Sequence, residues 1–537
     1  MPRDPEATML DEWGCRTHAE THFGRRLNCF ADRPANADAL LVDAAGRWPA
    51  AEALVDGERR WSYRELDAQV TRVAAGLRAR GVSRGDRVAL YLANSAEFVI
   101  SLLACTRAGA IAVPLSPRYR RAELEHAFDD ALPRALVCGA ELAEHLPPPR
   151  SATPALRMSV GGTVDGAESF GDVLAPAPWL PLPLHEDDPW AILYTSGTTG
   201  QPKGAVQTHL GIVHGALQFV RCWRLQAGER SILAVPGTHA AGLGVIFTML
   251  ACGGCTIVMR QFGSAAFLDL AVREQLSYAA MVPAMYNLLL RDPAFDPWAL
   301  KDWRVGGYGA APMPPALIDA FSQRMPQLRL VNAYGCTETT QPPVLMPLGH
   351  TGAHPDSVGR LVPGAEMRIV DAEGRDVAVG HAGEIWMRGP TVIPGYWRRP
   401  EADADAFTAG WWHSGDIGSI DVDGYVRVLD RLKDMIVRGG HKVFSAEVEN
   451  QLALHAAVVE SAVIGVPDPV LGERVHAVVV LRQPGAASEE TLRRWCAGRL
   501  ADYKVPERWT LQTEPLPRNA NGKTQKNLLR ERGMAAS

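Results

Sequence analysis

The stretch YTSGTTGQPKG (194–204) follows the apolar run WAIL (190–193) and sets three glycines, four Ser/Thr hydroxyls and one lysine in eleven residues. An apolar run that breaks into such a turn reads as a buried strand feeding a loop with unblocked backbone N–H groups. A loop of this kind surrounds an anion with N–H and hydroxyl donors, and Lys203 adds a point charge. Phosphate is its natural guest. Two common phosphate signatures are excluded. A Walker A loop needs G-x-x-x-x-G-K-[ST], whereas here the lysine precedes the last glycine, and GKT (522–524) has Pro517 where the first glycine belongs. The dinucleotide fingerprint fails as well, because GLGVIF and GYGAAP both lack the third glycine.

Outward from the loop, the chain keeps an α/β rhythm. SYRELDAQVTRVAAGLRARG opens on a capping box, Ser62 with Glu65, and carries apolar residues at Leu66, Val70, Val73 and Leu77 before the stop at Gly81. RVALYL, SAEFVISLLACTRAG and AIAVPL then read as strand, helix and strand, which implies parallel pairing. The uncharged segment Ser231 to Met259 contains Pro236, His239 and Gly253-Gly254, so it predicts a buried helix at about 242–251 and a buried strand at 255–259 rather than a membrane span. Residues 1–60 and 147–189 carry weak periodicity and are predicted to be irregular. GEIWMRGP and GYVRVLD, with turns at DAEGRD and DVDGYV, predict a β-rich, barrel-like subdomain at about 355–430. Beyond DRLKDMIVRGG, a helix capped by Ser445, strands ESAVIGV and RVHAVVVL, and a helix from Ser488 form a small α+β domain. The expected fold class is therefore α/β, with a large N-terminal domain of parallel sheets (1–433) followed by a small α+β domain (434–537).

Composition narrows the function. A chain of 537 residues exceeds what one core usually supports, and its 47% hydrophobic and 21% charged residues are those of a soluble globular protein. A net charge of −5 argues against nucleic acid and anionic membranes as partners. Nine scattered cysteines suit reduced thiols, and Cys252-x-x-Cys255 lacks the second pair of a zinc site. MPRDPEATMLDEWG has no basic start or apolar run, which predicts a cytoplasmic protein.

YTSGTTGQPKG resembles the phosphate loop of the adenylate-forming superfamily, which includes acyl- and aryl-CoA synthetases. Six more stretches match its signatures in order: GYGAAPMP (307–314), NAYGCTETT (332–340), GEIWMRGP (383–390), WWHSGDIG (411–418), DRLKDMIVRGG (430–440) and PRNANGK (517–523). The resemblance runs from about Trp61 to Arg530. It implies an enzyme that uses ATP, Mg²⁺ and coenzyme A (CoA) to convert a carboxylic acid to an acyl-AMP and then to a thioester. The alternative acceptors are a carrier-protein phosphopantetheine, an amine or another small nucleophile, a second alternative is a non-catalytic nucleotide-binding relative, and the protein is expected to be a monomer or homodimer.

The resemblance also implies roles for individual residues. Thr195, Ser196, Gly197, Thr198, Thr199 and Lys203 hold the β and γ phosphates. Glu338 holds the metal and Thr337 the α-phosphate. Gly309, Ala310, Ala311, Asn332, Tyr334 and Gly335 flank the adenine, while Asp416 and Arg431 bind the ribose. Lys523 stabilises the transition state of adenylation, and Lys433 is the hinge about which the mobile small domain swings. Gly439 and Gly440 line the pantetheine tunnel. His239, Ala240, Gly242 and Cys336 form the acyl pocket, with His239 as its gate. The neighbours of His239 are small and uncharged, which favours an apolar acid over an amino acid.

Overall fold

Helix Ala96–Ala108 is buried along almost its whole length because its core takes in residues of two different sheets. Ser95 caps its start, accepting from the N–H of Phe98 at 3.1 Å, and Gly109 ends it in a left-handed conformation at φ 67°. In this computed structural model residues 9–10, 13–148, 153–174, 182–195, 202–518 and 524–535 are described. The chain divides into two compact units. One comprises Met1–Met367 with Met387–Trp412, the other Arg368–Trp386 with His413–Ser537. The expected boundary at Lys433 falls inside the second.

Two large sheets and a small N-terminal one lie among the described residues of the first unit. One is ordered Glu168–Ser169, Leu156–Val160, Ala135–Gly139, Arg87–Tyr91, Ile111–Leu115, Pro189–Thr195, Lys203–Thr208, parallel except at its last pair. The other runs from Arg59–Ser62 through Glu52–Asp56, Cys255–Val258, Arg230–Leu233, Tyr278–Met281 and Val305–Gly309 to Arg329–Tyr334, with a parallel centre. The capping box at Ser62 stands as read, and it starts helix Tyr63–Ala79. The uncharged segment forms helix Ala240–Cys252 and strand Cys255–Val258; among the described residues no helix is long and apolar enough to cross a membrane. Cys252 and Cys255 are buried, and burial pushes both thiols up to about 12, which makes them inert core residues.

Three expectations need correction. Residues 147–189 are not wholly irregular, since Leu156–Val160 adds a parallel strand to the first sheet. The barrel-like subdomain is not a closed barrel. Its strands Glu366–Val370, Gly383–Arg388, Trp411–Ile420 and Tyr425–Arg431 lie in linear order, with Glu366–Val370 at the edge of an open sheet rather than paired back onto Tyr425–Arg431 as closure would need. Residues 1–60 are not irregular either. Arg16–His22 and Arg25–Phe30 form a hairpin, followed by helix Ala37–Arg47. Phe23 and Gly24 turn the hairpin with φ of 53° and 70°, as a two-residue turn requires.

Ionic groups clustered against this hairpin hide its apolar alternation. Arg33 donates to both oxygens of Glu20 at 2.7 Å and to Glu186 at 2.9 Å. The ring nitrogens of His22 face Asp187 at 2.8 Å and Glu20 at 3.2 Å. Among the described residues Glu20, His22 and Cys29 are also close enough to share a metal ion. Arg33 already saturates Glu20, and both nitrogens of His22 face carboxylates, so the cluster holds protons instead. Burial alone would lower the pKa of His22, but Cys29, Glu20 and Asp187 together hold it up at about 10. A raised pKa stabilises the fold fully below the unfolded value of about 6.5 and loses that contribution as pH climbs through the folded value. Thermal melts should therefore place His22→Gln several degrees below the parent at neutral pH, with the gap closing towards pH 10. A gap constant across that window would contradict the assignment.

The second unit ends in a sheet ordered His441–Val443, Ile436–Arg438, Gly472–Leu481, Val458–Asp468, with Arg508–Gln512 added parallel to Gly472–Leu481. Helices Ser445–Ala453 and Glu489–Ala497 pack on it, giving the expected α+β domain. Ser445 does not cap its helix as predicted: the cap position is Phe444. Ser445 is fully buried, donates its hydroxyl to Asp430 at 3.0 Å and accepts from Lys526 at 2.7 Å, while Asp430 also takes its backbone N–H. The carboxylate does the capping, and the hydroxyl is free to bind sideways.

Candidate active site

Strands Pro189–Thr195 and Lys203–Thr208 pair so that Thr195 faces Lys203, and the Thr195 hydroxyl donates to the Lys203 carbonyl at 3.3 Å. The hairpin stem thus brings the two ends of the glycine-rich loop together. Ser196, Gly197, Thr198 and Thr199 lie outside the described residues.

The lysine ammonium sits over the ring of Tyr396, 5.2 Å from its centroid, and the Tyr396 hydroxyl donates to Glu338 Oε1 at 3.1 Å. Burial, then the neighbouring charge of Glu338, pushes the Tyr396 phenol far above its ordinary value. It therefore remains a donor at every working pH. Backbone bonds fix this arrangement: Trp397 to Gly204 at 2.7 Å, Val206 to Gly395 at 3.2 Å and Ile393 to Glu338 at 2.9 Å. Buried Gln207 donates to the Thr337 carbonyl at 3.1 Å. Thr195, Lys203, Thr337 and Glu338 are thereby gathered around one segment, 393–397. Sequence reasoning missed Tyr396 and Gln207; the only local signal for Tyr396 is an aromatic beside the turn residue Gly395.

The residues expected around adenine lie at the carboxyl ends of two adjacent parallel strands, where open α/β sheets place their ligands. Tyr308 pairs with Asn332 and Gly309 with Ala333. A side chain at Gly309 would collide with the Ala333 carbonyl, so close strand packing demands glycine there. Ala310 adopts a left-handed φ of 65°, Ala310 and Ala311 are exposed, Tyr334 is half-buried, and Gly335 packs against Pro342.

Asp416 and Arg431 belong to the second unit and face each other across paired strands, with Arg431 Nε 3.3 Å from Asp416 Oδ1. Gly439 and Gly440 form the turn between Ile436–Arg438 and His441–Val443 at φ 56° and 84°, a conformation that by itself calls for glycine. Burial lowers the pKa of Lys433. Lys523 lies outside the described residues.

Of the acyl-pocket residues, His239 stands at the cap of helix Ala240–Cys252 and is half-buried. Gly242 packs against the Pro236 carbonyl with no room for a side chain. Ala240 accepts a hydrogen bond from Gln341 at 2.9 Å. Cys336 begins the short turn Thr337–Thr339, its N–H donating to the Thr339 hydroxyl at 3.1 Å. The start of this helix and the turn after Tyr334 are therefore neighbours.

A sequence-family model described as AMP-binding enzyme matches residues 41–397, and one for the AMP-binding enzyme C-terminal domain matches residues 447–523. Feruloyl-CoA synthase from Amycolatopsis sp is 38% identical over 90% of this chain and 96% of its own length. Long-chain-fatty-acid–CoA ligase FadD13 from Mycobacterium tuberculosis is 34% identical over 88% of this chain and 93% of its own. The crystal structure of ATP-bound MatB from Rhodopseudomonas palustris superposes with a TM-score of 0.84 at 33% identity, covering 93% of this chain and 99% of that one.

Proposed function

The chain belongs to the AMP-binding enzyme family, and from that premise we propose that it activates an apolar aryl or aliphatic carboxylic acid with ATP and passes the acyl group to the thiol of CoA. It is an AMP-forming acid–CoA ligase that uses ATP, Mg²⁺ and CoA. One observation carries the assignment of its phosphate site: Lys203, Tyr396 and Glu338 converge, joining the basic end of the glycine-rich loop to a hard carboxylate.

A carboxylate is a poor electrophile because its leaving group would be oxide. Attack of its oxygen on the α-phosphorus of ATP forms the acyl-AMP anhydride and releases pyrophosphate. The thiolate of CoA then attacks the acyl carbon, forming the thioester and expelling AMP. Thr195 and Lys203, with Ser196, Gly197, Thr198 and Thr199, hold the pyrophosphate end. Glu338 fits Mg²⁺: it is a single hard oxygen ligand, oriented by a neutral phenol and set beside a phosphate loop, and this metal takes few protein carboxylates. Bound there, the metal neutralises phosphate charge. Thr337 contacts the α-phosphate, Asn332 and Tyr334 the base, and Asp416 with Arg431 the ribose. Lys523 supplies positive charge at the α-phosphate during adenylation.

The lysine must leave before a thiol can approach, so the small domain turns about Lys433 between half-reactions. Asp430 precedes that hinge and Ser445 follows it, so the turn has to release the bonds between them. Gly439 and Gly440 then border the path of the pantetheine arm. All nine cysteines are free thiols, which suits a reducing cytoplasm.

The test is AMP formation with a panel of aromatic, medium-chain, long-chain and dicarboxylic acids, with and without CoA. AMP should appear with apolar acids and only when CoA is present. Release of AMP without CoA, or formation of ADP, would contradict the proposal.

A further inference from the structure

Thr340 holds a backbone conformation that a β-branched residue almost never adopts. Its φ of 56° and ψ of −57°, with the N–H of Gln341 donating to the Thr339 carbonyl, make a γ-turn of the strained, positive-φ hand. Such strain persists only where the surroundings enforce it, and it clusters at functional sites. The turn follows directly on Thr337 and Glu338, and it sends the Gln341 side chain between helices His209–Cys222 and Ala240–Cys252. Gln341 is only 2% exposed, and its amide donates to the Ala240 carbonyl at 2.9 Å.

Each helix yields to it with a glycine. A methyl at Gly215 would overlap the Cβ and Cγ of Gln341, and a methyl at Gly244 would overlap its amide oxygen. Glycine inside a helix weakens it relative to alanine, so two such positions facing one side chain show that the slot is built around Gln341. The wedge adjoins Ala240, and Cys336 opens the short turn that leads into it.

We propose that Gln341 is a specificity-determining residue that closes the far end of the acyl pocket, and that the acid is consequently compact, an aryl or short-chain acid rather than a long alkyl chain. This rests on the acyl group lying beside Ala240 and Cys336, as the family resemblance implies. A chain running on between the two helices would have to take the volume that Gln341 fills between Gly215 and Gly244, and forcing extra atoms into a slot packed this closely is costly.

The experiment compares kcat/KM for CoA-dependent AMP release with cinnamate, octanoate and palmitate. The parent enzyme should prefer cinnamate. Gln341→Ala should shift the ratio of octanoate to cinnamate by about tenfold or more towards the chain. Gln341→Asn, one methylene shorter, should shift it less and carries the test if the alanine variant does not fold. Gln341→Leu, close in volume, should keep the rejection, which separates size from polarity. Melting curves establish that each variant is folded. An unchanged profile in folded, active Gln341→Ala, or a parent enzyme that prefers palmitate, would overturn the proposal. A parent enzyme inactive with every acid in the wider panel would instead overturn the ligase reading on which it stands.

Discussion

Lys523→Ala should lose adenylation by about a hundredfold to a thousandfold, the range found when one electrostatic donor is removed from a transition state. The mechanism demands this because the attack joins two anions, and a concentrated ammonium at the α-phosphate offsets charge that builds only as the new bond forms. The second half-reaction has no such need, since the acyl-AMP is already activated and the attacking thiolate uses the other domain orientation. Pyrophosphate exchange measures the first step, and thioester formation from supplied acyl-AMP measures the second. Only the first should fall. Equal loss in both would refute the division of labour between the two half-reactions.

Glu338→Gln should be nearly as damaging, for a different reason. The variant keeps an acceptor oxygen for the Tyr396 hydroxyl, now bonded to Glu338 at 3.1 Å, so local structure and melting temperature should change little. What it loses is the negative charge that the proposed site uses to recruit Mg²⁺. Metal stabilisation of phosphoryl charge contributes several kcal/mol, so adenylation should drop by about a hundredfold or more, with the magnesium dependence moved to higher concentration. Steady-state kinetics across a magnesium titration checks it. Near-parental rates with an unshifted magnesium profile would remove Glu338 from the metal site.

Local signals revealed a large part of this architecture and non-local contacts hid the rest. The capping box at Ser62, the run of Ala96–Ala108 and the apolar strands around it are short-range patterns, and they gave the parallel α/β order directly. The N-terminal hairpin was illegible because half-buried Glu20 and buried His22 and Arg33 read as solvent-facing, and their partners Glu186 and Asp187 lie far along the chain. The cap of helix Ser445–Ala453 was misassigned because Asp430, fifteen residues earlier, replaces the serine in that role. At the site, the glycine-rich loop and Glu338 announce themselves by motif. Tyr396 and Gln341 do not, since each acts through residues more than fifty positions away, Glu338 and Ala240. The glycines that make room for Gln341 look like ordinary helix breakers until the fold sets them opposite it.

The attack on the α-phosphorus is tested most directly by following oxygen. With a carboxylate substrate labelled with heavy oxygen, one turnover through acyl-AMP to the thioester should leave a single labelled oxygen in AMP and none in pyrophosphate. Label in pyrophosphate or inorganic phosphate, or AMP without label, would contradict the account.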